Sequence, residues 1–180
     1  MTVYAALLRG INVGGHNKIK MAELREILEA AGCKQVQTYI QSGNVVLTSD
    51  LDAPSLQRLI ETEIQNAFGL NIPVVIRSSS DFEAIMRQCP YDEAGLQEGE
   101  SIHVSMLSGI PQEAGLHRLA ATERGDDEYQ IIGSDVHLLF RKSIRDSKLA
   151  VNLAKLGIPG TVRNWNTMKK LSDMISKTES

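Results

Sequence analysis

The chain has 180 residues, 42% of them hydrophobic and 23% charged. This composition excludes long disorder and leaves enough chain for one large domain or two small ones. A net charge of −3 discourages attachment to nucleic acid through overall charge, and the apolar run Val3–Leu8 before Arg9 is too short for a signal-peptide core or a membrane span.

Val3–Leu8 reads as a short buried strand. A Gly- and Asn-rich loop follows, and Met21, Leu24, Ile27, Leu28 and Ala31 then form the stripe of an amphipathic helix that Gly32 stops. Val36–Ile40 is a second strand, Gln41-Ser42-Gly43-Asn44 a turn, and Val45–Thr48 a third strand. Asp52 is a good N-cap, with Pro54 in the first turn, for a helix carrying Leu56, Leu59, Ile60, Ile64 and Phe68 and closed by Gly69. Pro73–Arg77 supplies a fourth strand. The order β-α-β-β-α-β is the ferredoxin-like plan, in which two helices cover one face of a four-stranded antiparallel sheet.

Ser80 and Glu83 predict a capping box for a short helix with Phe82, Ile85 and Met86, and Pro90–Ser101 reads as an acidic connection. Ile102–Leu107 is a strand, Gln112–Ala121 a helix, and Tyr129–Ile132 pairs with Val136–Phe140 across Gly133-Ser134-Asp135. Ser147–Leu156 is a helix capped by Asp146 or Ser143, with no evident strand after it. A last helix starts near Asn164, with Trp165, Met168, Leu171 and Ile175 as its stripe. The expected fold is therefore α+β, with two tandem ferredoxin-like (alpha-beta plait) subdomains, residues 1–79 and 80–180, and a C-terminal helix packing back.

Cys33 and Cys89 lie far apart without CxxC spacing, so they read as reduced, buried small hydrophobes of a cytoplasmic protein. Charge is segregated along the chain. Arg9, Lys18 and Lys20 face no acid within residues 1–22, and residues 141–170 hold Arg141, Lys142, Arg145, Lys148, Lys155, Arg163, Lys169 and Lys170 against Asp146 alone. Asp126, Asp127 and Glu128 read as a solvated turn.

Three segments carry a resemblance: Leu8-Arg9-Gly10-Ile11-Asn12-Val13-Gly14-Gly15, Thr38-Tyr39-Ile40-Gln41-Ser42-Gly43-Asn44-Val45, and Arg163-Asn164-Trp165-Asn166-Thr167. In this order, over Thr2 to about Leu171, the chain resembles a widespread bacterial family of uncharacterised proteins, one of the numbered domain-of-unknown-function families. The resemblance implies two alpha-beta plait subdomains. It implies no activity, substrate or cofactor.

The loop after the first strand holds more glycine, asparagine and basic residues than a connection needs, which marks it as the candidate site. Gly10-x-x-x-x-Gly15 has the opening spacing of a P-loop, but His16-Asn17 stand where Lys-Ser/Thr is required, so the loop departs from the Walker pattern and ATP hydrolysis by that mechanism is not expected. A looser anion site remains, because glycine lets backbone N–H groups approach a ligand and Arg9 or Lys18 can pair with its charge. The antiparallel pairing of strands one and three brings Ser42–Asn44 near the loop. If the last helix folds back, Arg163 approaches Arg9 and Asn12.

The leading reading is a protein that binds a small anionic or nucleotide-like ligand through Arg9, Asn12, Gly14, Gly15, Asn17, Lys18, Ser42, Asn44, Arg163 and Asn164. A second reading is binding to a nucleic-acid backbone through Lys18, Lys20, Arg141, Lys142, Arg145, Lys148, Lys155, Lys169 and Lys170, with steep salt dependence. Base stacking on the sheet is disfavoured, because Val45-Val46-Leu47-Thr48 has no aromatic residue. A third reading is a structural or assembly module whose polar motifs lock the fold. His16 would be the acid or base if the protein is an enzyme. The sequence calls for no cofactor, no metal and no membrane partner: its histidines lack metal spacing, and the three motifs contain no acid. It leaves oligomeric state undetermined.

Overall fold

A computed structural model describes the whole chain, Met1–Ser180. It divides into two compact units, Met1–Met86 with Lys169–Ser180, and Arg87–Met168. The first contains β1 (Thr2–Leu8), α1 (Met21–Ala30), β2 (Lys34–Tyr39), β3 (Asn44–Ser49), α2 (Ala53–Phe68) and β4 (Val74–Ser78), with α3 (Ser79–Arg87) at its end. The second contains β5 (Ser101–Leu107), α4 (Glu113–Ala120), β6 (Glu128–Ile132), β7 (Asp135–Phe140), α5 (Lys148–Asn152) and β8 (Gly160–Asn164). Helix α6 (Trp165–Glu179) starts in the second unit and ends in the first.

Each unit has one four-stranded antiparallel sheet, ordered β2-β3-β1-β4 in the first and β6-β7-β5-β8 in the second. Both are the alpha-beta plait arrangement, with the first and third strands central, so the chain is α+β with the expected architecture. In the first unit Leu24 and Leu28 of α1 and Leu56, Ile60 and Ile64 of α2 meet Tyr4, Ala6, Leu8, Val45, Leu47, Val74 and Ile76 on one sheet face. Each fully buried aliphatic side chain there contributes about 1.5–3 kcal/mol, and this is what holds the helices down. In the second unit Leu107, Val136, Leu138 and Phe140 meet Leu119, Leu149 and Leu156.

Local signals act largely where expected. Asp52 caps α2 by accepting from the Ser55 N–H at 2.9 Å, and Gly69 ends that helix in the left-handed conformation. Four expectations are corrected. Strand β8 exists after all. Its Thr161, Val162 and Arg163 carry too little periodicity to announce a strand, and pairing with β5 decides it. Ser147, not Asp146 or Ser143, caps α5 through the Ala150 N–H, whereas Ser143 caps the 3-10 turn before it. Helix α3 begins two residues early, with Ser78 rather than Ser80 accepting from a first-turn N–H, that of Asp81 at 3.2 Å. Finally, Ile40 lies outside β2 with φ 48.

The two central strands end in the same way. Leu8 donates its N–H to Gly43 O at 2.9 Å and Arg9 to Pro73 O at 3.0 Å. In the second unit Leu107 donates to Ser134 O and Ser108 to Pro159 O, both at 2.9 Å. No helix is long and apolar enough to cross a membrane.

Candidate functional site

Between β1 and α1 the chain takes twelve residues, and five of them, Gly10, Asn12, Gly14, Gly15 and Asn17, have positive φ. This accounts for the unusual composition, since glycine and, less readily, asparagine tolerate that conformation. The loop is nevertheless well anchored. Ile11 and Ile19 are buried in the first unit's core at either end. Between them Asn12 Nδ2 donates to Ile19 O at 3.0 Å and to Gln41 O at 2.7 Å, and its Oδ1 accepts from the Ile19 N–H at 2.9 Å. Asn12 N–H donates to Asn17 O, Asn17 Nδ2 donates to Gly10 O, and His16 N–H donates to Val13 O in a tight turn.

The β2–β3 turn meets this loop as the strand pairing predicts. Gly43 lies so close that an added Cβ would stand 2.7 Å from Leu8 Cβ and 3.0 Å from Ile11 Cδ1, so no side chain fits. Asn44 is fully buried, and its Nδ2 donates to Tyr39 O and Ser42 Oγ.

Loop, turn and the start of α1 together form an open cleft of about 580 Å³ lined by Asn12, Gly15, Lys18, Ile19, Lys20, Glu23 and Gln41. Lys20 precedes α1 as its N-cap residue and makes no side-chain cap. An uncapped helix N-terminus presents N–H groups and a positive dipole end, and Lys18 and Lys20 add full positive charge beside it.

Of the residues singled out in the sequence, Asn12, Gly15 and Lys18 line the cleft. Arg9, Gly14, Asn17 and His16 are exposed on the same loop without lining it, and Ser42 and Asn44 belong to the turn. Arg163 and Asn164 belong to the second unit. Arg163 sits on β8, buried, with Nη1 donating to Thr161 Oγ1 at 2.6 Å and to Val162 O at 3.0 Å, and burial pushes its guanidinium down to about 10. It still carries its charge at neutral pH. Asn164 Oδ1 accepts from the Thr167 N–H at 2.9 Å, which caps α6. The sequence motifs do not single out Ile19, Glu23 or Gln41, and they point to Lys20 only for nucleic-acid binding. Gln41 lies inside a quoted motif, and Glu23 follows Lys20 by one helical turn, which is the signal that could have found them.

The basic C-terminal third is partly spent on internal pairs. Arg141 bonds Glu100 at 2.7 Å and is also paired with Glu128, while Lys148 meets Glu123 at 3.0 Å. The acidic stretch is not a merely solvated turn: Asp127 accepts from the Arg141 N–H at 2.7 Å and from Ser147 Oγ at 2.6 Å. Lys142, Arg145, Lys155 and Lys169 are exposed, and the Lys170 ammonium stands 5.9 Å from the Tyr39 ring centre. Cys33 is buried as expected and Cys89 only half-buried, with burial raising both thiols. No group of three or more His, Cys, Asp or Glu side chains is placed to hold a metal ion.

Comparison with known proteins agrees with the architecture. The family described as "Protein of unknown function (DUF1697)" matches residues 1–137, which include the loop and the β2–β3 turn but stop short of Arg163. Among solved structures, the conserved bacterial protein SP0830 from Streptococcus pneumoniae is similar at 28% identity, with 97% of this chain and 98% of that chain covered and a TM-score of 0.79. A second structure, of an unknown protein from Galdieria sulphuraria, covers 91% of this chain and 98% of that one at 9% identity, but its TM-score of 0.26 carries no argument. No curated protein matches the sequence. The chain belongs to the DUF1697 family.

Proposed function

We propose that this member of the family binds a small anionic or nucleotide-like ligand in the cleft between the Gly/Asn loop and the start of α1. The observation that carries the reading is the pair Lys18 and Lys20 beside an uncapped helix N-terminus, in the lining of a 580 Å³ cleft. That volume falls within the range of about 300–1,000 Å³ typical of small-molecule sites. The anion would sit against the α1 N–H groups and the two ammonium groups. Asn12 would act as a positioning residue, because its amide already holds Gln41 O and both backbone groups of Ile19.

The test is a thermal-shift and calorimetric screen of inorganic phosphate, sugar phosphates, nucleotides and short RNA, at low and physiological salt. Wild type is compared with the double variant Lys18→Ala/Lys20→Ala. A ligand at one hundred times its Kd adds about 2.7 kcal/mol to stability, well within reach of a melting curve. The reading expects a small-molecule hit that persists at physiological salt and is lost in the double variant. A hit retained by that variant, or binding of RNA alone that collapses with salt, would overturn it.

A further inference from the structure

Three charged side chains line the cleft, and none of them is in use. The side chains of Lys18, Lys20 and Glu23 make no hydrogen bond and no ion pair, although the signs are opposite and the cleft is shared. The Gln41 side-chain amide, also in the lining, is likewise without a partner.

A site for a bare anion gains nothing from a carboxylate. Glu23 would repel the anion by ordinary Coulomb repulsion between like charges. A carboxylate is useful where the ligand presents a hydrogen-bond donor beside its negative group. The lining charges sum to +1, which suits a ligand of net negative charge better than a zwitterion of net zero charge. We propose, resting on the anion reading above, that the cleft selects a phosphate monoester carrying vicinal hydroxyls, the chemistry of a phosphorylated sugar or a nucleoside monophosphate. The phosphate faces Lys18 and Lys20. Glu23 accepts from the hydroxyls, and the Gln41 amide can donate or accept beside them.

The experiment measures isotherms for ribose 5-phosphate and for propyl phosphate, which has the same charged group and no hydroxyls, on wild type and on Glu23→Gln. Circular dichroism checks that the variant is folded. A hydrogen bond to a charged acceptor is worth on the order of a tenfold change in affinity. Wild type is expected to hold ribose 5-phosphate about tenfold more tightly than propyl phosphate. Glu23→Gln should remove that preference while leaving propyl phosphate equal or tighter. Equal affinity of wild type for the two esters, or a gain for both in Glu23→Gln, overturns the hydroxyl selection while leaving the anion site standing. No binding of either ester or of inorganic phosphate to wild type overturns both readings together.

Discussion

The connection from β1 to α1 and that from β5 to α4 occupy the same place in two copies of one topology. Both start from a central strand whose end is tied on each side by equivalent backbone bonds, to Gly43 and Pro73 in one unit and to Ser134 and Pro159 in the other. The second connection reaches its helix in five residues, Ser108–Gln112, whereas the first takes twelve. A plait therefore closes with the short version, and the extra length of the first loop is not a requirement of the fold. Nor is it slack chain, since Ile11 and Ile19 are buried and the Asn12 amide is spent on holding the loop to its surroundings. A long loop built to one shape, with lysines at its end, is the feature on which the proposed anion site rests.

The strongest way to break this contrast is to cut the anchor in one loop and its counterpart in the other. Ile11 is 1% exposed and Ile110 76% exposed. Ile11→Ala should cost about 3 kcal/mol, as buried aliphatic truncations do. Ile110→Ala should stay within about 0.5 kcal/mol. Urea unfolding measures both, and similar losses would mean that the two loops are anchored alike.

A second difference is acid sensitivity. His103 and His137 lie in the second unit, both held below the ordinary histidine value by burial, and neither ring nitrogen of His137 has a hydrogen-bond partner. The only histidine of the first unit, His16, is exposed. Because the folded pKa values are depressed, the unfolded chain binds more protons once pH falls below about 6.5. Stability is therefore full above that value and is lost as pH falls through it towards the folded values. Denaturation midpoints taken across this window should decline in wild type and decline less in His137→Phe. Parallel curves would remove His137 from the account.

The smallest effect concerns the turn that the long loop leans on. Ile40 is β-branched, half exposed and at φ 48, a conformation that costs such a residue about 1–2 kcal/mol. Ile40→Asn, which tolerates that region, should raise stability by about 1 kcal/mol in the same unfolding assay. A loss instead would show that the isoleucine side chain contributes more than its backbone costs.

The sequence by itself determined the helices, because their apolar stripes and caps are local: Leu56, Ile60 and Ile64 lie on one face, and Asp52 and Gly69 mark the ends of α2. It also determined the order of strands and helices in the first unit, and with it that unit's plait. It located the loop, since five left-handed positions within eight residues demand glycine and asparagine, and that demand is legible residue by residue. Tertiary structure alone decided what depends on pairing at a distance. Strand β8 exists because β5 offers it an edge, and Arg163 is buried because that strand lies in a sheet. The carbonyl that Asn12 holds, Gln41 O, is 29 residues away along the chain. Gln41 shares a cleft with Lys18 only because antiparallel pairing of β1 and β3 folds the turn onto the loop. Local pattern encodes how each segment prefers to fold, while which segments become neighbours is set by the register of the whole sheet.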